Sequence, residues 1–151
     1  MSGDGKSFSA YDVGDMLCFA IYSAGHAFNR VYKPLLDRLD LTYPQFLVMV
    51  ALWAGDDQTV GGLGDKLLLE SSTLTPLLKR LETMGLVSRR RDPADERQVR
   101  VRLTAAGKAL KARARDIPRC IIDAAGMPED TLRRLRADIV KLRENLLQAS
   151  G

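Results

Sequence analysis

Cysteine and histidine are scarce: the 151 residues hold two cysteines and one histidine. No CxxC pair and no Cys/His cluster occurs, which argues against a structural zinc site. Cys18 and Cys120 lie far apart, and in a reducing compartment both are expected as thiols rather than as a fixed disulfide. No apolar run is long enough to span a bilayer. The start, MSGDGKSFSAYDVGDM, has no basic segment followed by an apolar one, so no secretory leader is read and the cytoplasm is the expected compartment. The cluster Gly61-Gly62-x-Gly64 lacks the lysine of a phosphate-binding loop and reads as a loop entering a short helix. His26, the lone histidine, reads as helix-surface or interface packing, and Trp53 as core. No metal and no cofactor are expected. What is present is ordinary for a globular protein: 46% hydrophobic and 28% charged residues, enough to bury a core in one domain over residues 1–151.

The charge is unevenly placed. From Lys79 to Arg102 stand eight basic residues (Lys79, Arg80, Arg89, Arg90, Arg91, Arg97, Arg100 and Arg102) against four acidic ones, which accounts for the whole net charge of +4. A local basic stretch of this kind suits a phosphate-binding surface, or else a solvated basic hairpin.

The element order is read from periodicity and punctuation. Residues 1–11 are polar and expected to fray. A long helix is expected over about 12–38, with Leu17, Ala20, Ile21, Ala24, Phe28, Val31 and Leu35 at helical spacing. Thr42-Tyr-Pro-Gln45 is a capping box with proline in the first turn, opening a helix that stops at Gly55. A short helix at about 63–69 follows, then a helix opened by Ser71-Ser72-Thr73 and ended by Gly85, with Pro76 expected in or near its first turn. Residues 86–90 and 99–103 read as the strands of a hairpin turned by Asp92-Pro93-Ala94-Asp95, the second strand apolar on one face and basic on the other. Thr104 caps a helix expected to run to about Asp123, and Gly126 and Pro128 break it. In the last helix Leu132, Leu135, Ile139, Leu142 and Leu146 form a heptad-like seam.

The fold class is therefore mainly α with a small β-hairpin wing, a winged helix-turn-helix over about 42–103. The terminal helices, about 12–38 and 104–149, either build a dimer or pack within one chain. The helix after Ser71 turns Ser72, Thr73, Thr75, Lys79 and Arg80 away from its leucine stripe. Hydroxyls at a helix N-terminus, followed by basic side chains, suit a recognition helix in a major groove. Arg89 extends the basic face. At the hairpin tip Asp95 can hold the Arg97 guanidinium for a minor groove, or form an ordinary salt-bridged turn.

The stretch Asp95-Glu-Arg97, five residues, then Leu103-Thr104, resembles the wing signature of MarR-type regulators. LLLESSTLTPLLKRLETMGLVSRRRD is similar to the helix-turn-helix and first wing strand of that family. The resemblance covers nearly the whole chain. It implies a homodimer on a palindromic double-stranded operator, usually a repressor and not an enzyme, with Arg97 as the minor-groove arginine and Asp95 as its support.

Cys18 falls near the start of the first helix. If Asp12 or Asp15 caps that helix, its N-terminal dipole favours the thiolate, which peroxide oxidises to sulfenic acid. Tyr22 and Tyr32, four and fourteen residues on, fall about 40° to either side of Cys18 at 100° per residue and can hydrogen-bond a thiolate. Alternatively Cys18 is a small core residue and the tyrosines are packing. LCFAIYSAGHAFNRVYKPLLDRLDLTYPQFLVMVALW closely resembles the N-terminal half of the organic hydroperoxide resistance regulators, a MarR subgroup. That resemblance implies that Cys18 senses organic hydroperoxide and that Tyr22 and Tyr32 are its partners, the second tyrosine coming from the other subunit. It leaves the second thiol open: Cys120, about one turn before the subgroup's resolving position near Asp123, or a low-molecular-weight cellular thiol. The alternative is a MarR-type repressor released by a small aromatic ligand, with Phe28, Tyr43, Met49 and Trp53 as lining. A thiol peroxidase would need an acid/base constellation near Cys18 that the sequence lacks, and a nucleoid-type binder would show little operator preference.

Overall fold

The computed structural model describes residues 12–151, and the expected fraying of 1–11 lies outside them. The chain divides into two compact units, one ending at Arg115 and one spanning Asp116–Gly151.

In the first unit, a 3-10 turn Val13–Asp15 precedes α1, Leu17–Asp37. The expected helix start at Asp12 is corrected. Asp12 caps only the 3-10 turn, its carboxylate accepting from the Gly14 N–H at 2.9 Å, and extended Met16 separates that turn from α1. α2, Tyr43–Ala54, opens on the expected capping box: the Gln45 side chain accepts from the Thr42 N–H at 2.9 Å and the Thr42 hydroxyl from the Gln45 N–H at 3.4 Å. Two residues that the sequence reading missed, Gln58–Thr59, form β1. Thr59 then caps α3, Val60–Leu67, by accepting from the Gly62 N–H, so the expected loop over Gly61–Gly64 is helix instead. A Cβ on Gly64 would stand 2.7 Å from the Leu69 carbonyl, and the bare glycine lets the chain turn back tightly. α4, Ser71–Thr83, follows. Pro76 is its sixth residue, past the first turn, and withholds the backbone bond to the Ser72 carbonyl.

Strands β2, Val87–Arg91, and β3, Val99–Leu103, pair antiparallel with Arg89 opposite Val101, and β1 lies on the other edge of β3. α5, Ala105–Arg113, is capped by Thr104. The core is closed by Val48, Met49, Leu52, Leu63, Leu74, Leu78, Leu81 and Val101, all fully buried. Trp53 ties α2 to α5 through an indole N–H bond to the Gly107 carbonyl at 2.9 Å.

The helix expected from 104 to 123 is two helices. In the second unit, α6 covers Ile117–Ala125 and α7 Glu129–Ser150. In a continuous helix Pro118 would have no N–H for the Ala114 carbonyl and its ring would clash there, so the ladder stops at Arg113 and restarts at Ile117. Gly126, with φ of 64°, ends α6. No residue of α7 is buried. No helix among the described residues is long and apolar enough to cross a membrane.

Candidate DNA-binding surface and thiol site

The leucine stripe of α4 faces inward, Leu74, Leu78 and Leu81 being wholly enclosed, which leaves Ser72, Thr73, Lys79 and Arg80 exposed and Thr75 half-buried. The sequence-predicted face is thus one surface. Thr75, Arg89 and Arg97 share a groove of about 370 Å³ with Thr59, Gln98 and Val99, between the start of α3, the middle of α4 and the wing.

The basic stretch splits into two sets. Lys79, Arg80, Arg90 and Arg91 make no ion pair among the described residues and stand exposed. The others are engaged. Arg89 is bound to Glu82 of α4 twice, through its guanidinium at 3.2 Å and its backbone N–H at 3.1 Å, and these bonds hold the Glu82 carboxyl below its usual range. The Nε of Arg89 is buried with no protein partner. Arg97 gives both its Nε (3.3 Å) and its backbone N–H (3.1 Å) to Asp95 Oδ1, yet its side chain is 91% exposed. Asp95 therefore orients an arginine held out in solvent.

Arg100 and Arg102 are held by carboxylates absent from the sequence-derived site. Arg100 gives Nε to Asp57 Oδ1 at 2.8 Å and a terminal N–H to the Asp57 carbonyl at 2.8 Å. Its other terminal nitrogen donates to Asp92 Oδ2 at 3.2 Å. Arg102 reaches the second Asp57 oxygen at 3.1 Å. The bonds from Arg100 and then Arg102 push the Asp57 carboxyl down. Asp92 is lowered first by the Ala94 N–H and then by Arg100. For Asp57 the sequence offers only the short polar run Gly55-Asp56-Asp57 after α2, whereas Asp92 stands in the hairpin turn that the sequence shows.

Cys18 is the second residue of α1 and exposed, on a first turn whose N-cap, Met16, offers no side-chain acceptor. Tyr22 stands 66% exposed one turn on, its ring edge-on to His26 at 4.5 Å between centroids. Tyr32 is not at Cys18. Fourteen residues of helix separate the two by about 21 Å, and the Tyr32 ring lies on Tyr43 at 4.9 Å and Phe46 at 5.9 Å. Burial raises both the Tyr32 and the Tyr43 phenol, Tyr32 further through the neighbouring Tyr43 charge. Tyr43, read from the sequence as lining for an aromatic ligand, thus pairs with Tyr32. Of the other residues in that alternative, Met49 is wholly buried, Trp53 is bonded to Gly107 and Phe28 is 47% exposed on α1. Cys120 is half-buried in the first turn of α6, its Sγ 3.9 Å from the Asp116 carboxylate.

A recognition-type helix followed by an arginine-tipped hairpin defines a winged-helix transcriptional regulator. The family model described as transcriptional regulator SarA/Rot matches residues 30–114. The chain is 45% identical over 135 residues to the HTH-type transcriptional regulator TtmR of Methylorubrum extorquens, covering 89% of this chain and 69% of that one. It is 40% identical over 143 residues to the organic hydroperoxide resistance transcriptional regulator of Bacillus subtilis, covering 95% and 97%. Among solved structures it is similar to AbfR of Staphylococcus epidermidis. The reduced, DNA-bound form matches with a TM-score of 0.76 at 32% identity, covering 89% of this chain and 94% of that one. The same protein is also known overoxidised on DNA and in a disulfide form. The chain belongs to the MarR family of winged-helix regulators, in the organic hydroperoxide resistance subgroup.

Proposed function

We propose that this protein is a repressor that binds a palindromic operator as a homodimer and releases it when an organic hydroperoxide oxidises Cys18. The observation that carries the reading is an exposed thiol in the first turn of a helix whose apolar side chains are also uncovered: Leu17, Phe19, Ile21 and Phe28. A second copy of the chain covers that helix, together with the uncovered Leu135, Ile139, Leu146 and Leu147 of α7. Residues 12–38 and 104–149 serve dimerisation and residues 42–103 read DNA, the whole chain acting as one functional piece. Ser72, Thr73, Thr75, Lys79 and Arg80 meet the major groove, Arg97 on Asp95 enters the minor groove, and Arg89 braces α4 against the wing.

The thiolate of Cys18 attacks the terminal peroxide oxygen. An S–O bond forms and the O–O bond breaks. Sulfur is oxidised by two electrons to sulfenic acid, and the alkoxide takes a proton from Tyr22 or solvent and leaves as an alcohol. Because Tyr32 lies about 21 Å along α1 from its own Cys18, the Tyr32–Tyr43 pair acts on the thiol of the second copy. A second thiol, from Cys120 of the second copy or a low-molecular-weight cellular thiol, then displaces water and closes a disulfide. Either product, lodged between dimerisation helices, changes the spacing of the two recognition helices and releases the operator. The nearness to an organic hydroperoxide resistance regulator and to a protein known in reduced and oxidised forms supports this reading.

The test is binding to the duplex upstream of its own coding sequence, with and without stoichiometric organic hydroperoxide, for wild type, Cys18→Ser and Cys120→Ser. Wild type releases and Cys18→Ser does not. Release by Cys18→Ser, or retention by wild type, overturns the thiol switch. If Cys120 of the second copy closes the disulfide, oxidised wild type runs as a disulfide-linked dimer on non-reducing electrophoresis and Cys120→Ser does not.

A further inference from the structure

The surface that would meet DNA carries two carboxylates that oppose binding to a polyanion. Asp57 and Asp92 offset two of the wing's arginines, although a face that binds phosphates gains from every cation left free. A surface ion pair adds only modest stability, and charge counts against these two, so neither accounts for the choice of partners. Their placement does. Asp57 belongs to the turn that leaves α2, while Arg100 lies in the middle strand of the sheet and Asp92 opens the turn at the wing tip. The Arg100 guanidinium occupies all three nitrogens, two on Asp57 and one on Asp92. Asp92 spends its other oxygen on the Ala94 N–H at 2.9 Å, organising the tip that carries Arg97. Next to Asp57, the Asp56 carboxylate takes the Leu103 N–H at 2.8 Å, so adjacent carboxylates grip β3 along its length. Arginine's rigid fork suits a brace of this kind, since each bond fixes direction as well as distance.

The geometry points to a positioning role: the Asp57–Arg100–Asp92 bridge fixes the angle of the wing against the end of α2, so that Arg97 is presented to the minor groove already aligned. Resting on the DNA-binding reading above, this adds three positioning residues that need not touch DNA. Pre-aligned contacts bind more tightly because the ordering cost is met before binding.

The inference makes two opposite charge changes act in the same direction. Asp57→Gly removes a negative charge and suits the backbone there, since Asp57 sits at φ of 61°. Arg100→Met removes a positive charge. If the pair acted by charge alone, the first variant would bind more tightly and the second more weakly. If it positions the wing, both bind more weakly, each by about tenfold, and both lose hydroxyl-radical protection of the minor groove under the wing while keeping the major-groove footprint.

The probe is a duplex selected by the wild-type full-length protein from a random-sequence pool. Failure of the wild type to select any sequence refutes the DNA-binding reading itself. With a wild-type probe in hand, tighter binding by Asp57→Gly, or an intact wing footprint in both variants, overturns the bridge. Asp92→Asn, which keeps a side-chain acceptor for Ala94, supplies a third reading of the same outcome if either variant melts below the assay temperature.

Discussion

In α2, twelve residues long, Gln45, Phe46, Val48, Met49 and Leu52 are buried; in α7, with twenty-two residues, none is. Both are regular helices, but different interactions support them. α2 begins with a capping box and presses apolar side chains into a core shared with α3, α4 and β3. α7 opens at Pro128 with no side-chain cap and is laced by exposed ion pairs such as Arg133 with Glu129 and Asp130. Helical stability in proteins comes mainly from packing an apolar face. Leu135, Ile139 and Leu146 of this long helix are uncovered, and they are the side chains that the proposed dimer would bury.

Truncation tests that difference most strongly. Leu52→Ala, in a side chain with no exposure, lowers unfolding free energy by about 2–5 kcal/mol. In urea melts its effect is the same at every protein concentration. Equal losses from Leu52→Ala and Ile139→Ala in a dilute monomer would erase the contrast.

Next in size is an effect on assembly. Ile139→Asp places a charge in the middle of the uncovered seam of α7. Sedimentation equilibrium is expected to show the dimer dissociation constant raised by at least about tenfold, and melting temperature falls relative to wild type, most at low protein concentration. An unchanged dissociation constant would mean that the seam is not the interface.

The same contrast explains what could be read from the sequence. The capping box at Thr42, the leucine stripe of α4 and the hairpin around Asp92-Pro93 are signals carried within a dozen residues, and each reads correctly. β1 has two residues and exists because Gln58 and Thr59 pair with Val101 and Arg100, a register no local pattern reveals. Arg100 and Asp57 are 43 positions apart, so counting charges places Arg100 among the cations of the surface while the fold turns it into a brace. Helical spacing put Tyr32 on the same face as Cys18, but angle carries no information about the rise along the axis. Tyr43 reads from the sequence as lining for an aromatic ligand, whereas the α1–α2 packing sets it on Tyr32. The break between α5 and α6 was written in Pro118, which the apolar run of Ile117, Ile121 and Ile122 masked.

The first unit is itself uneven, and acid separates its parts. Asp57 is held low by Arg100 and Arg102, Glu82 by Arg89, and Asp92 by the Ala94 N–H and Arg100. A carboxyl whose folded value is depressed stabilises the fold above its unfolded value, and that contribution is lost as pH falls through the folded value. Below about pH 4 the wing therefore loosens while the apolar core persists. Hydrogen exchange should show protection factors of β2 and β3 amides falling before that of Leu52. A simultaneous fall would mean that wing and core unfold as one.

The smallest effect concerns backbone strain, which the two units also treat differently. In the second unit the residue with positive φ is Gly126, at 64°, where no side chain is strained. Among its described residues the first unit carries three non-glycine residues with positive φ: Asp40, Asp57 and Leu68. Aspartate tolerates that region through local hydrogen bonding, but leucine gains nothing there and its Cβ crowds the following carbonyl. Leu68 ends α3 at φ of 56° with its N–H on the Gly64 carbonyl, and its side chain is 54% exposed, so little burial offsets the strain. The surrounding core holds the turn in place: Leu63 before it and Leu74 after it are fully buried. Leu68→Gly relieves the strain but gives the unfolded chain more freedom to lose, so the net gain is less than about 1 kcal/mol. Gly126→Leu introduces the same strain where no residue of α7 is buried to enforce it, and α6 is expected to fray at its C-terminus instead of adopting the strained turn. Urea melts of the first variant and amide exchange at the end of α6 in the second measure the two halves of that asymmetry; a destabilised Leu68→Gly would show that the exposed leucine makes contacts worth more than its strain.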